Sequence, residues 1–290
     1  MPAWSEASLV IQSETVGSEE LTRRLGVEPT RVREKGTRKS RRDPASPLFE
    51  ATVWTCASGA PKGASIEDKL STLLDEIEPA SAALVALTER CEEFLFLGLF
   101  GDLQPTAFRI GSPLWQRMAR LPAPVVLDPY PPHVDDEDEI QPGQPRKWTA
   151  GFLKVSGAHV GVAEITRALG RDPYAMPARG PGAGDGRGPA GLSPPTDLWQ
   201  IESGVAQEGS LEGHLASLLE KVEPHADVLR ALARECELSL SLGFAAENGQ
   251  GSGWFDQSLV GRLARLPLDV TLHLYSPYVD VRRSLAAESA

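Results

Sequence analysis

Cysteine is scarce: Cys56, Cys91 and Cys236 are the three in 290 residues, and no two are spaced as a CxxC pair. An odd count of this kind builds no disulfide framework and fits free thiols in a reducing compartment. Long apolar runs are missing too. The most apolar short stretch, Phe94 to Phe100, cannot span a bilayer, and Met1 to Val10 has neither a cationic stretch nor a long apolar core. These absences predict a cytoplasmic protein without a membrane partner. The histidines, His133, His159, His214, His225 and His273, form neither HExxH nor a Cys/His cluster, so no metal is expected. There is no GxSxG nucleophile turn. The one glycine-rich stretch, Pro177 to Pro195, lacks the terminal Lys-Ser/Thr and the strand-to-helix setting of a phosphate loop, so it reads as a flexible insertion and no cofactor is expected. A net charge of -11 argues against broad affinity for nucleic acid or anionic surfaces.

What the sequence does contain is itself, twice. At a shift of 144 to 145 residues, Thr22-Arg23-Arg24-Leu25-Gly26 meets Thr166-Arg167-Ala168-Leu169-Gly170, Trp54 meets Trp199, Glu78-Pro79 meets Glu223-Pro224, and Cys91-Glu92 meets Cys236-Glu237. Gly98 falls on Gly243, Ala119-Arg120-Leu121-Pro122 on Ala264-Arg265-Leu266-Pro267, and Tyr130 on Tyr275. A register this constant implies one fold in two copies. Pro131 to Arg146, with its prolines and the acidic run Asp135 to Glu139, joins them. The boundaries that follow are a first domain over 1–138, an acidic proline-rich linker over 139–147 and a second domain over 148–290. Every element of the unit is present in both copies, which predicts a complete core in each.

Each copy reads as β-α-β-α-α-β-α-β, an α+β unit with helices on one face of a four- or five-stranded sheet. Alternation around Leu9 and Ile11 gives the first strand, and a short helix runs from Ser18 to a stop at Gly26. Ser65 and Ser210 stand as N-caps of the strongest helices, whose apolar positions Ile66, Leu70, Leu73, Leu74 and Ile77 recur as Leu211, Leu215, Leu218, Leu219 and Val222. An extra short strand near Val32 would make the first half related to a ferredoxin-like arrangement. The segments Leu25-Gly26-Val27-Glu28-Pro29-Thr30, Lys35-Gly36, the Trp54 strand, the Leu-rich helix ending Glu78-Pro79 and Leu127-Asp128-Pro129-Tyr130 resemble domain-of-unknown-function family 4279, an uncharacterised bacterial family. That resemblance implies a fold and no chemistry. The second copy departs from it at His273, which replaces Asp128, and at Arg179-Gly180.

Candidate site residues follow from these patterns. Glu78 and Glu223 precede prolines at helix junctions, where a carboxylate can cap the free N–H groups of the next helix, and Arg120 and Arg265 sit in a last helical turn, opposing the dipole. His214 stands where the first copy has Lys69, so no requirement common to both copies holds either residue. Lys35, Trp54 and Tyr130, with Arg179, Trp199 and Tyr275 in the second copy, are candidates for lining a ligand pocket, with core packing the competing account for the tryptophans. The basic loop Arg31 to Arg42, which includes Arg38, Lys39, Arg41 and Arg42, could contact nucleic acid, the acidic linker or an acidic protein, and should be dispensable for folding because the second copy lacks it. On the face away from the helices, Val10, Phe94, Phe96 and Val126 are apolar where the second copy has Lys154, Ser239, Ser241 and Thr271. This predicts a solvated sheet face in the second copy and a covered one in the first, packed on the second copy, on another chain as a homodimer, or on a protein partner. The function expected is that of a non-catalytic binding protein, a protein-interaction module of immunity or adaptor type. Small-ligand binding and a hydrolase using Asp128 or Glu78 are the alternatives.

Overall fold

The computed structural model describes residues 3–40, 42–43, 45–101, 106–130, 147–157, 160–174, 198–246 and 252–275. In the first half the chain runs β1 (Trp4–Ser13), α1 (Ser18–Leu25), β2 (Arg31–Arg33), β3 (Thr52–Ala57), α2 (Ile66–Ile77), α3 (Ser81–Val85), β4 (Glu92–Phe100), β5 (Thr106–Ile110), α4 (Ser112–Met118) and β6 (Val125–Tyr130). The second half follows with β7 (Lys147–Ser156), α5 (Val162–Leu169), β8 (Leu198–Glu202), α6 (Leu211–Val222), α7 (Ala226–Leu232), β9 (Glu237–Ala246), β10 (Gly253–Phe255), α8 (Gln257–Ala264) and β11 (Asp269–Leu274). The protein is α+β, with one unit repeated. The extra strand near Val32 is β2. Among the described residues no helix is long and apolar enough to cross a membrane.

Local chemistry sets the element ends. Ser65 Oγ accepts the Asp68 N–H and Ser210 Oγ accepts the Gly213 N–H, both at 3.1 Å, which caps α2 and α6 as the sequence predicts. Gly26 and Gly170 close α1 and α5 with φ of 66° and 60°, the left-handed conformation that disfavours any side chain. Pro79 and Pro224 open a 3₁₀ turn after α2 and α6, where the missing N–H has no helical partner to lose.

The strand order is β10-β6-β4-β1-β3-β2 in one sheet and β5-β11-β9-β7-β8 in the other. Each sheet therefore contains a strand from the other half. β5, from the first half, pairs antiparallel with β11, and β10, from the second, pairs antiparallel with β6. Each exchanged strand stays fastened to its own half: Glu67 Oε1 of α2 accepts the Gly111 N–H at 2.8 Å, and Glu212 of α6 accepts the Trp254 N–H. The sequence reading placed a helix directly after β4 and β9, and missed both strands. The expectation of two complete cores is corrected accordingly. Buried residues of both halves form one contiguous cluster, in which Phe255 of the second half lies 6.3 Å from Trp115 of the first, ring centre to ring centre.

Candidate functional site

The inward parity read from the sequence holds in the first sheet. Leu9, Ile11, Leu95, Leu97, Val125 and Leu127 are buried on the helix side, while Val10, Phe94, Phe96 and Val126 are half-buried on the other face. That open face is laid out in rows by strand register. Trp4, Phe100 and Tyr130 form one row, Glu6, Gly98 and Asp128 the next, and Ser8, Phe96, Val126 and Trp254 the third. The first row is a continuous stack: Trp4 and Phe100 lie 3.7 Å apart at 3°, and Phe100 and Tyr130 lie 4.5 Å apart at 2°. Lys62 places its ammonium 5.5 Å from the Trp4 ring centre. The Tyr130 hydroxyl donates to Asp128 Oδ2 at 2.6 Å, and this bond to a carboxylate, with burial second, pushes the phenol up to about 12. Trp254 reaches this face from the second half through β10, is 52% exposed, and lies 6.2 Å from Phe94.

The second sheet corrects the sequence reading. Gly151 faces α6, where an added Cβ would lie 2.9 Å from the His214 side chain, so its neighbours Ala150 and Phe152 point to the helix-free face. There they form a small apolar cluster with Ala245 and Tyr275, against which Trp148 and Tyr174 pack. Lys154 and Ser241 are buried on the same face. This face is solvated only in part, with Ser239 and Thr271 half-buried. The comparison of four positions failed because the aromatic bulk has moved one strand over: Phe152 on β7 faces Ser241 on β9, whereas in the first half Ser8 on β1 faces Phe96 on β4.

The residues proposed for a pocket do not come together. Trp54 and Trp199 are fully buried on the helix side, each donating its indole N–H to a threonine of the repeat, Thr22 at 3.1 Å and Thr166 at 3.2 Å. Tyr130 stands on the opposite face of the sheet from Trp54, Tyr275 is buried in its own cluster, and Lys35 is exposed with its ammonium on the Glu14 carbonyl at 2.9 Å. Arg179 lies outside the described residues, as do His133, His159 and Arg41. An open depression of about 360 Å³ instead lies in the second half, lined by residues that include Arg171, Tyr174, Glu202 and Lys221. Lys221 donates there to the carbonyls of Glu202 and Ser203, and burial, then the nearby Arg171, lowers its pKa.

The carboxylates of Glu78 and Glu223 do not cap the helical turn that follows. Glu78 takes two hydrogen bonds from Arg117, at 2.9 and 3.0 Å, and Glu223 takes two from Arg262, at 2.9 and 2.8 Å, so each ties the end of α2 or α6 to α4 or α8. The repeat register puts Arg117 on Arg262, a signal the sequence held. The basic loop folds on itself: Lys39 N–H donates to the Pro47 carbonyl at 2.9 Å, Arg38 reaches the Ser46 carbonyl at 3.3 Å, and Arg33 lies over the Phe49 ring, while Arg42 is exposed. All three cysteines are buried, and burial raises each thiol, Cys56 to about 12, which disfavours the thiolate that a nucleophile needs. Among the described residues no group of three potential ligands is placed to hold a metal ion.

Glu93 on β4 is the odd carboxylate. It is 8% exposed on the helix side, its Oε2 has no hydrogen-bond partner among the described residues, and the second half has Leu238 there. Burial pushes its pKa from 4.5 to about 7. Between those values the folded state keeps a proton that the unfolded state has lost, so stability falls as pH rises and the full penalty is present above pH 7. Glu93→Leu should therefore raise stability at pH 8 by up to about 3 kcal/mol and by much less at pH 5. Denaturant unfolding at the two pH values checks this, and an equal gain at both would contradict it.

The family model for "Domain of unknown function (DUF4279)" matches residues 2–132 and again 147–277. No curated protein matches the chain. With its repeated α+β unit matched twice over nearly its whole length, the chain belongs to the DUF4279 family and carries two tandem copies of its domain.

Proposed function

We propose that the protein is a non-catalytic binding protein, of immunity or adaptor type and acting in the cytoplasm, that holds a protein partner on the helix-free face of its first sheet. The observation that carries this reading is the patch of half-buried Phe94, Phe96 and Val126 with exposed Trp254, an apolar surface that no described segment covers. Ring orientation favours protein over nucleic acid. A base needs a free aromatic face to stack on, and within this stack Phe100 has both of its faces taken, by Trp4 and by Tyr130. The carboxylates a hydrolase would use are engaged, Asp128 by Tyr130 and Glu78 by Arg117.

The test is Phe94→Ser with Phe96→Ser in the full chain. Both rings are half-buried, so the melting temperature should fall while the chain stays folded, and a captured partner, or a second copy in a homodimer, should be lost. Burying what remains exposed of the two rings is worth about 1 to 3 kcal/mol, roughly a fivefold to hundredfold change in Kd. Binding that survives the double substitution, or capture that depends instead on Arg38, Lys39, Arg41 and Arg42, would refute this assignment.

A further inference from the structure

The two exchanged strands are chemically unlike each other. β5 meets β11 over five residue pairs, from Val270–Ile110 to Leu274–Thr106, and β10 meets β6 over three. At the first seam Arg109 Nε donates to Asp269 Oδ2 at 2.9 Å, with Nη2 of the same guanidinium on the same oxygen. Asp269 Oδ1 accepts the Ser112 N–H at 2.8 Å, so one carboxylate holds both the end of β5 and the first turn of α4. In the register of the repeat, Asp269 corresponds to Pro124 and Arg109 to Trp254. The second seam accordingly has no such ion pair; it has Trp254 opposite Val126 and near Phe94.

These substitutions bear on which half can pair with which. If two chains met first half to first half, Arg109 would lie opposite Val126 beside Pro124 and find no carboxylate. If they met second half to second half, Trp254 would lie opposite the polar Thr271 and Asp269 would lose Arg109. Both like-with-like pairings lose the contacts of both seams. We infer that Arg109 with Asp269, and Trp254 with Val126, are matched determinants that make each half select the unlike half, so that the exchange edges reject the like half of a second copy and the two tethered halves close on each other. An exposed ion pair adds little to stability by itself. Selectivity, however, is a difference between alternatives, and a half-buried carboxylate stripped of its guanidinium counts against the wrong one.

Charge reversal in the full chain tests this. Asp269→Arg sets two guanidinium groups at one seam, and Arg109→Asp sets two carboxylates there. Each single variant should show concentration-dependent association beyond the wild-type mass by size-exclusion light scattering, while the combined Arg109→Asp/Asp269→Arg variant keeps the wild-type mass. Asp269→Asn, which removes charge without repulsion, should fold normally and dimerise less than Asp269→Arg. Single variants that keep the wild-type mass at every concentration would overturn the inference, as would a combined variant that does not recover. Should Asp269→Arg fail to fold, the combined variant decides the matter in the same way: a folded single chain supports the determinants, continued failure excludes them.

Discussion

Cutting the chain between residues 131 and 146 is expected to leave the two halves bound to each other. The reason lies in β5 and β10, which place Phe108, Ile110 and Phe255 in a core shared by both halves. Fully burying three such side chains is worth roughly 5 to 9 kcal/mol, on the scale of the whole stability of an ordinary domain. An isolated half would lose much of that and would expose an unpaired edge, at β6 in the first half and at β11 in the second. A protease site placed in this segment, followed by cleavage and size-exclusion chromatography, should therefore give one particle of unchanged mass. It should unfold in a single transition whose midpoint becomes concentration-dependent, because two chains now separate. Residues 1–138 expressed alone should show no comparable transition. If the cleaved halves separate on the column, each with its own cooperative unfolding, the shared core is not what holds the molecule together.

The repeat, the α+β class and nearly every element were legible in the sequence because each left a local mark: a serine cap before a leucine-periodic helix, a glycine at a left-handed helix end, a tryptophan in an alternating strand. The exchange left no such mark. Thr106–Ile110 does alternate, with Phe108 and Ile110 buried and Ala107 and Arg109 exposed, but its counterpart Gly253–Phe255 has three residues and begins with glycine. Two short strands can be read from a sequence more readily than the edge they will join, since pairing depends on contacts more than a hundred residues away. The candidate surface was half legible. Strand parity correctly separated Leu95 and Leu97 from Phe94 and Phe96, yet it could not show that Trp254 completes the first half's face. Nor did parity reveal that Phe152 and Tyr275 close the second. Pairing Trp54 with Tyr130 in one pocket failed for a simpler reason, because the two point to opposite faces of one sheet.

Lys69 and His214 share one position of the repeat but no chemistry in sequence, and the structure gives them a common task. Both are buried, at 4% and 1% exposure, and both reach from α2 or α6 to the start of the first strand and the loop before the helix. Lys69 donates to the carbonyls of Ser5 at 2.6 Å and Lys62 at 2.7 Å, and burial lowers its pKa. His214 bridges Ser203 Oγ at Nδ1, 2.6 Å away, and Thr149 Oγ1 at Nε2, 2.9 Å away. The Thr149 hydroxyl also faces the carbonyls of Gln207 and Gly209, at 2.9 and 2.8 Å. Its one proton is drawn to a carbonyl, which leaves its oxygen to accept from Nε2–H and leaves Nδ1 to accept from the Ser203 hydroxyl. The two niches thus differ in kind: carbonyls around Lys69 call for a pure donor, and hydroxyls around His214 can serve a donor and an acceptor. His214→Leu would remove partners from both hydroxyls and should cost about 2 to 4 kcal/mol, the range for polar groups left unsatisfied in a core. His214→Lys should cost less than His214→Leu, because both hydroxyl oxygens can accept from an ammonium. Lys69→His should be the poorer exchange, since a neutral imidazole offers one donor to two carbonyls. Equilibrium urea unfolding of the three full-length variants measures this order. A His214→Leu protein as stable as the wild type, or a Lys69→His protein more stable than His214→Lys, would show that the shared position does not act as a polar bolt.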